Sequence, residues 1–232
     1  MTEKQVYTNQ YQFTPAENRR FARANLAKLV YTNAHFEGVK LTLTETQTIL
    51  DGVSVAGVSV ADVLTLVNLK RGWLFALDQT GPLTLELELE MQLNKLVAAE
   101  NTVFAGELRS RQGGVNLGDG EIFAQPLIDK QQEVAFLQQT LANQRTTTTD
   151  KALTVMYHNM RQQIFWDGNK RTAMISANQI MIAGGAGLIN VPLDKWGKWN
   201  ELIADYYRTN DMTKVKQWTY EHAIQGVDVR KA

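Results

Sequence analysis

The residue types best suited to chemistry lie in one short stretch of the chain, residues 167–171. It places a carboxylate, a glycine, an amide and two cations at consecutive positions, which is typical of a tight turn that opens a helix. N–H groups at a helix N-terminus attract anions, and Gly168 would let a ligand approach the backbone closely. Lys170 and Arg171 can neutralise phosphate oxygens, and Asp167 offers the hard oxygen ligand that Mg²⁺ prefers. The stretch therefore predicts a site for phosphate and magnesium.

A purely structural interpretation of the same stretch stays open on composition alone. An Asp-Gly-Asn turn followed by two basic residues is also what a solvated turn with a basic helix start contains. The neighbouring positions and other segments of the chain bear on the choice.

The sequence around this stretch resembles the signature of the Fic family, HxFx[DE]GN[GK]RxxR. Five positions match the invariant part of the signature: Phe165, Asp167, Gly168, Asn169 and Arg171. Lys170 matches the variant of the Doc toxin branch, and Thr172 and Ala173 also agree with that branch. Two positions depart from the signature: Gln163 stands where the family has its histidine, and Met174 where it has its second arginine.

The resemblance extends over roughly residues 20–225. Phe36-Glu-Gly38, together with residues 41–46 and 49–50, resembles the amino-terminal region of self-inhibited Fic proteins. Gly106-Glu-Leu-Arg109, with the glycine-rich stretch that follows it and Pro126, resembles the flap of the family. The resemblance implies an all-α, mostly helical Fic fold with a small β-hairpin flap.

One Fic-type domain over residues 1–232 is expected, because no linker-like segment divides the chain. Its amino-terminal helical part, residues 1–55, would carry an inhibitory segment. Residues 105–125 would form the flap, and residues 150–183 the motif helices and their loop.

The resemblance also implies a reaction: transfer of AMP or of the terminal phosphate from ATP, or another nucleoside triphosphate, to a hydroxyl of a target protein bound through the flap. The backbone of Gly168, Asn169 and Lys170 would cradle the phosphates, with the Asn169 side chain on a phosphate oxygen. Asp167 would carry Mg²⁺, and Arg171 would bind the far phosphates. In the Doc branch the lysine accompanies an inverted nucleotide, so both nucleotide poses stay open.

Gln163 predicts that catalysis is weak or lost. The histidine of the family accepts the proton of the target, whereas a glutamine amide cannot hold a proton near neutral pH. A positioned general base is typically worth roughly 10²- to 10⁴-fold in rate. His158 precedes Gln163 by five residues and would lie about 140° away around a helix, so we expect it on the surface or in packing.

Glu37 is a second departure from the family pattern. The resemblance to the inhibitory sequence [ST]xxxE[GN] implies an inhibitory role for Glu37, with Asn33 at the Ser/Thr position. Its usual partner is the second arginine, and Met174 cannot form that ion pair. Glu37 could instead reach Arg171 or Lys170, or cap the following turn.

Three functions are therefore compatible with the sequence. The first is a Fic-type nucleotide-binding protein with weak or lost catalysis. The second is an active Doc-like kinase or AMP-transferase with a non-standard base, and the third is a protein-interaction module without catalysis. The motif from Asp167 to Arg171 is complete, which opposes the third function, and Gln163 opposes the second.

Composition limits the partners further. The 24 Lys and Arg residues balance the 24 Asp and Glu residues, so neither nucleic acid nor a membrane is an expected partner. There is no cysteine, and three scattered histidines do not suggest a metal cluster. The amino terminus lacks an apolar signal core, so a soluble cytoplasmic protein is expected. The oligomeric state is open, and a homo-oligomer is compatible with the sequence.

Helix-start signals place the first helices. Residues 14–17 form a capping box with proline at the first helical position, which predicts a helix to about Asn33. A second capping box at residues 44–47 predicts a short helix, and Ser59 is expected to cap a longer one that runs through Leu77.

Residues 83–93 carry conflicting signals. Their leucines alternate with polar residues at the period of a strand, but Leu and Glu are strong helix formers. We expect a helix, because a strand would lack an obvious partner and the resemblance also places a helix here. The glycines of residues 105–125 indicate a hairpin. Further helices are expected at residues 129–142, 150–163, from the motif to about 183, 193–207 and 211–224.

Overall fold

The computed structural model describes residues 7–79, 85–117, 120–125 and 127–228. The α-helices in these ranges are α1 (Pro15–Ala24), α2 (Leu26–Ala34), α3 (Leu43–Leu50), α4 (Val60–Asp78), α5 (Leu87–Val97), α6 (Lys130–Ala142), α7 (Thr148–Gln162), α8 (Asn169–Ala183), α9 (Trp196–Thr209) and α10 (Thr213–His222). Two 3₁₀ turns cover His35–Glu37 and Leu193–Lys195. The strands are β1 (Gly113–Asn116), β2 (Ile122–Gln125), β3 (Leu188–Ile189) and β4 (Ile224–Gln225).

The mostly helical fold with a small β-hairpin is therefore confirmed. Strands β1 and β2 pair antiparallel, with Gly113 opposite Gln125 and Asn116 opposite Ile122. The sequence did not predict the second pair, β3 with β4, because two residues per strand are too few to show a period. In the described part of the chain, no helix is both long enough and apolar enough to cross a membrane.

Helix α8 is the centre of the fold. Thirteen of its 15 residues are buried, and it packs along α7 while also contacting α1, α4 and α5. Ala173 and Ala177 contribute to a core formed with α7, α9 and α10. Ile175 and Ile182 contribute to a second core, formed with α2, α3 and α4. A helix that is buried on all sides fixes the motif loop at its N-terminus within the centre of the protein.

The amino-terminal helix differs from its predicted length. The capping box of Thr14 and Glu17 is confirmed, but α1 ends at Ala24 and α2 begins at Leu26. Between them the side chain of Asn25 donates to the carbonyl of Phe21 at 2.8 Å. Asparagine side chains compete with the backbone for hydrogen bonds in this way, which explains the interruption.

The predicted second capping box was wrong by two residues. The box that forms joins Thr42 and Glu45, and α3 begins at Leu43 rather than after Thr44. The Glu45 carboxylate accepts from the N–H of Thr42 at 2.7 Å, and the Thr42 hydroxyl accepts from the N–H of Glu45 at 3.2 Å. The glutamate decides the register because it can bond the backbone of the cap residue in return.

The helix expected in residues 83–93 is confirmed as α5, although it begins at Leu87 and extends to Val97. Leu83 lies outside the described residues. The strand-like period arises because α5 is covered on more than one side: Leu87 joins the core around α7, and Leu93 joins the core around α4. Apolar residues on two faces of one helix obscure the helical period.

Glu90 is a charged residue placed inside this core. Its side chain on α5 is 1% exposed, and the Asn159 amide on α7 donates to Oε1 at 2.6 Å. Burial raises the pKa of Glu90 to about 7, and hydrogen bonding with Asn159 and the nearby Ser176 hydroxyl offsets only part of that effect. Oε2 and the Ser176 hydroxyl lack an aligned partner among the described residues, so we regard the Ser176 contact as weak.

We expect Glu90→Gln to stabilise the protein at neutral and alkaline pH. A raised folded-state pKa means that the protonated carboxyl stabilises the fold below about pH 4.5, and that this stabilisation is lost as pH rises through about 7. Glutamine keeps the shape and the hydrogen bonds without a charge. The melting temperature of the variant relative to wild type should therefore rise between pH 4.5 and 8.

Thermal unfolding followed by circular dichroism at several pH values measures this difference. Glu88→Gln is the matched control, because Glu88 lies on the exposed side of the same helix and pairs with Lys130 at the surface. A difference between Glu90→Gln and wild type that does not change with pH would contradict the prediction.

Candidate functional site

The motif loop joins the end of α7 to the start of α8. Gln163 caps α7 in the left-handed conformation, with φ 49° and ψ 53°. Gly168 caps the N-terminus of α8 with φ 71°, and a Cβ atom there would lie 3.0 Å from the Cβ of Ala98. Glycine is needed for both reasons. The tight turn opening a helix that the sequence predicted is confirmed.

Asn169 closes this loop onto itself. Its Oδ1 accepts from the N–H of Phe165 at 2.8 Å, and its Nδ2 donates to the carbonyl of Phe165 at 2.9 Å. Phe165 is buried in the core and forms an isolated β-bridge with Leu108 of the flap. Both polar atoms of the Asn169 side chain are thus used in the loop. The group of Asn169 that remains for a ligand is its main-chain N–H. This N–H lies in the first turn of α8, where no carbonyl of the helix can accept from it.

Arg171 is buried and fully committed to protein partners. Its side chain is 1% exposed, and Nη1 donates to the carbonyl of Val97 at 2.6 Å and to Asn101 at 3.2 Å. Nη2 donates to Oδ1 of Asp167 at 2.9 Å. Nε lies 2.7 Å from Oε1 of Glu37. The last contact is an ion pair without the alignment of a hydrogen bond, because Nε has no aligned acceptor.

Glu37 therefore takes one of the partners that the sequence left open, Arg171 rather than Lys170. Met174, the position of the second family arginine, is buried in the core. Burial raises the pKa of Glu37; the Arg171 guanidinium acts in the opposite direction, and the Asp167 charge adds to the rise. Glu37 is consequently an ion-paired carboxylate that is held in a partly desolvated place.

Lys170 faces the same region. Burial lowers the pKa of its ammonium group, and Glu37 opposes that shift. Its Nζ lies 6.0 Å from the centre of the Phe36 ring. A lysine in the first turn of a helix that opens on a glycine is well placed to meet an anion, since the N–H groups of that turn have the same electrostatic sign.

These residues surround a cleft of about 280 Å³. It is lined by the amino-terminal segment, the flap and the motif loop together: Phe36, Glu37, Gly114, Val115, Gln163, Trp166, Asp167, Gly168, Asn169 and Lys170. The structure thus brings the predicted site residues into one cleft, with the exception of Arg171, which lies behind it and touches Glu37 and Asp167.

Gln163 lines the cleft without offering a group that can take a proton. Its Nε2 donates to the carbonyl of Met160 at 2.6 Å and lies 3.4 Å from the hydroxyl of Tyr207. Burial raises the pKa of Tyr207 well above its usual value, so that hydroxyl stays protonated. His158 points elsewhere: it pairs with Glu133 at 2.7 Å, a packing role that agrees with the prediction.

Sequence reasoning missed Asn94 as a determinant of the site. Its Nδ2 donates to the carbonyl of Asp167 at 2.8 Å and to the Thr172 hydroxyl at 3.1 Å, and its Oδ1 accepts from the N–H of Gly106 at 2.8 Å. It thereby connects α5 to the motif loop and to the beginning of the flap. The available signal was an asparagine on the buried stripe of α5 that also carries Leu87.

Arg109 is the second residue whose role was missed, although it belongs to the flap signature. Nε donates to the carbonyl of Gln163 at 2.6 Å, Nη2 to that of Gln162 at 3.1 Å and Nη1 to that of Arg111 at 2.7 Å. A cation at the C-terminus of α7 satisfies carbonyls that have no partner within the helix. Arg109 thus joins the flap to the first position of the motif, Gln163, and to the residue before it.

Comparison with known proteins agrees with this geometry. A model of the Fic/DOC family matches residues 84–181, which include α5, the flap, the motif loop and most of α8. No curated protein matches the sequence.

Solved structures share the fold at low sequence identity. Fic-1 (aa134 - 508) from C. elegans is 19% identical with a TM-score of 0.70, over 92% of this chain and 64% of its own. A Fic family protein from Desulfovibrio desulfuricans G20 is 18% identical with a TM-score of 0.71, over 87% and 63%. A Fic domain containing signaling protein from Bacteroides thetaiotaomicron VPI-5482 is 18% identical with a TM-score of 0.68, over 94% and 95%.

The chain thus spans less than two thirds of the C. elegans and Desulfovibrio chains but nearly all of the Bacteroides chain. The family match covers the motif loop and the flap approach, where Gly168, Asn169 and Arg109 make the contacts described above. The part of the chain that carries the flap and the motif loop thus matches the Fic/DOC family model, and the solved structures share the fold of the chain.

Proposed function

We propose that the protein binds a nucleoside triphosphate, with ATP as the first candidate, and that its transfer of AMP or phosphate to a protein hydroxyl is weak or lost. The observation that carries the proposal is the cleft itself. A helix N-terminus and Lys170 meet there, while position 163 holds an amide instead of a base.

The phosphates would occupy the first turn of α8. The main-chain N–H groups of this turn lack intrahelical acceptors, and the positive end of the helix dipole adds to their attraction. Lys170 supplies a full charge next to them, and its partial burial reduces competition from water. This combination supports an anionic ligand more strongly than either feature alone.

Asp167 fits a magnesium ion bound together with the phosphates. Its Oδ1 is engaged by Arg171, but Oδ2 takes no part in that contact, and the side chain is 41% exposed. No group of three or more metal-ligating side chains exists in the described residues. Mg²⁺ is usually held by one or two carboxylates with water and substrate phosphates, so a single carboxylate beside the turn fits it. When bound, the ion would neutralise phosphate charge, and Asp167 would hold it.

Weak catalysis follows from the titratable groups of the cleft. Among the described residues that line it, these groups are Glu37, Asp167 and Lys170. Both carboxylates are paired with Arg171, and none of the three replaces the side chain of Gln163. An active transferase would need a proton acceptor near the target hydroxyl, so the nucleotide-binding alternative is better supported.

The flap is the proposed surface for a protein target. Strands β1 and β2 form a two-stranded hairpin, and Gly114 and Val115 of β1 line the cleft. A hairpin edge can align an extended peptide by strand addition, which would bring a hydroxyl close to the phosphates. Ile122 of β2 is 67% exposed and offers apolar contact to such a peptide.

Lys170→Ala should weaken the binding of Mg²⁺-ATP by about 1.5–3 kcal/mol, the usual worth of a charge-assisted hydrogen bond. Isothermal titration calorimetry measures the affinity. Lys198→Ala is the matched control, because Lys198 is an exposed lysine on α9 that pairs with Glu201. Equal affinities for wild type and Lys170→Ala would exclude this cradle as the phosphate site.

Glu37→Gln should tighten Mg²⁺-ATP binding roughly tenfold, because it removes a negative charge from the lining of the cleft that would receive the phosphates. The same calorimetric titration applies, with Glu201→Gln as the surface control. Unchanged or weaker binding would mean that Glu37 supports the fold without competing with the ligand.

Gln163→His should raise protein labelling from radioactive ATP by about two orders of magnitude, in line with the worth of a positioned base. Histidine tolerates the left-handed backbone at this position. Gln163→Asn is the control, since it keeps an amide. Separate α- and γ-phosphate labels would identify the transferred group. Strong labelling by the wild-type protein would refute the weak-catalysis proposal.

A further inference from the structure

We propose that Trp166 stacks on the base of the bound nucleotide and gives the site a preference for purines over pyrimidines. This inference rests on the proposed nucleotide binding and adds to it a residue that the family signature leaves variable. Trp166 lines the cleft and precedes Gly168 by two positions, so a phosphate at the turn and a ring on the indole are within the span of one nucleotide.

The position of Trp166 differs from that of the other tryptophans. Trp73, Trp196 and Trp199 are buried in the cores, and Trp218 stacks on His222 away from the cleft. Trp166 is only partly buried and belongs to the cleft lining. A tryptophan that is held at a polar cleft without being part of a core is well suited to recognise a flat ligand, because it provides a large contact area at low entropic cost.

Phe104 supports the indole from outside the cleft. The two ring centres are 5.3 Å apart with an interplanar angle of 34°. Phe104 lies in the segment between α5 and the flap, is 45% exposed and is not among the residues that line the cleft. Packing against Phe104 restricts the indole before a ligand arrives, which lowers the entropy that binding must cost.

Phe36 is the other aromatic residue of the cleft, and it is less suited to this role. Its ring packs against Trp196 at 4.9 Å and Trp199 at 5.5 Å, and the Lys170 ammonium lies 6.0 Å from its centre. The Phe36 ring is thus already in contact with two core tryptophans and lies near the Lys170 ammonium group. Trp166 has Phe104 as its single aromatic partner within the described residues.

Stacking on an aromatic side chain is a general way to bind nucleobases, because every base has a π-face. A purine offers the larger surface, so an indole platform favours ATP over CTP. Alternatively, Trp166 contacts an apolar side chain of a protein target. In that case the nucleotide affinity would not depend on this residue.

The test compares wild type with Trp166→Leu and Trp166→Phe by calorimetric titration with the magnesium complexes of ATP, CTP and inorganic tripolyphosphate. Leucine keeps apolar contact with Phe104 but lacks a ring, and phenylalanine keeps a smaller ring. Trp166→Leu should weaken ATP binding about 5- to 150-fold, the range for one stacked base, and reduce the preference for ATP over CTP. Tripolyphosphate binding should not change, and Trp166→Phe should retain most of the ATP affinity.

The outcomes distinguish a failure of this inference from a failure of the proposed function. If wild type binds ATP and Trp166→Leu binds it equally well, the stacking role is wrong and the target side chain becomes the better occupant. If ATP and tripolyphosphate weaken together, Trp166 only shapes the loop, which also overturns the proposal. If wild type binds neither ligand, the nucleotide-binding function fails and the inference fails with it.

Discussion

The buried guanidinium of Arg171 is the constraint on which the site depends. An arginine keeps its charge at any physiological pH, so a position that is 1% exposed must supply partners for it. The carbonyl of Val97 comes from α5, Asp167 from the motif loop and Glu37 from the amino-terminal segment. One charge therefore joins three parts of the chain. Removing any one partner would leave part of that charge unbalanced in the interior.

A second set of contacts joins the flap to the same centre. The Asn94 side chain donates to the carbonyl of Asp167 in the motif loop and accepts from the N–H of Gly106 in the flap. The Arg109 guanidinium donates to the carbonyls of Gln162 and Gln163. The left-handed backbone at Gln163 costs of the order of 1 kcal/mol, which these bonds offset. As a result, these hydrogen bonds hold the first residues of the flap and the motif loop in fixed positions relative to each other.

These contacts bear on the positions at which the chain departs from the Fic signature. The turn is retained: Gly168 caps α8 and donates its N–H to Asp167 Oδ1, and the Asn169 side chain closes the loop on Phe165. The base is replaced by Gln163, whose amide bonds the carbonyl of Met160. The ion pair with Arg171 holds the Glu37 carboxylate at the lining of the cleft. The turn at Gly168 and the side chain at position 163 are therefore held by different contacts, so that one can change without the other.

The sequence by itself determined the features that depend on residue type or on a few neighbours. The mostly helical class, the Thr14 cap and the turn at Gly168 follow from such local chemistry, whereas the resemblance to the Fic signature identified Gln163 as standing at the position of a histidine. Periodicity was less informative where both faces of an element are buried, as in α5, where the helix was inferred from propensity, the lack of a strand partner and the resemblance.

Only the tertiary structure decided which distant groups meet. Asn94 and Asp167 are 73 residues apart, and Arg171 and Val97 are 74 apart, so no local pattern could pair them. The same holds for Glu37, for which the sequence left Arg171, Lys170 and a cap of the following turn open, and which pairs with Arg171 in the structure. Local propensity acts over a turn or two of chain, whereas the partners of a buried charge are set by how helices pack. The residues of the site could therefore be identified from the sequence, but the contacts between them could not.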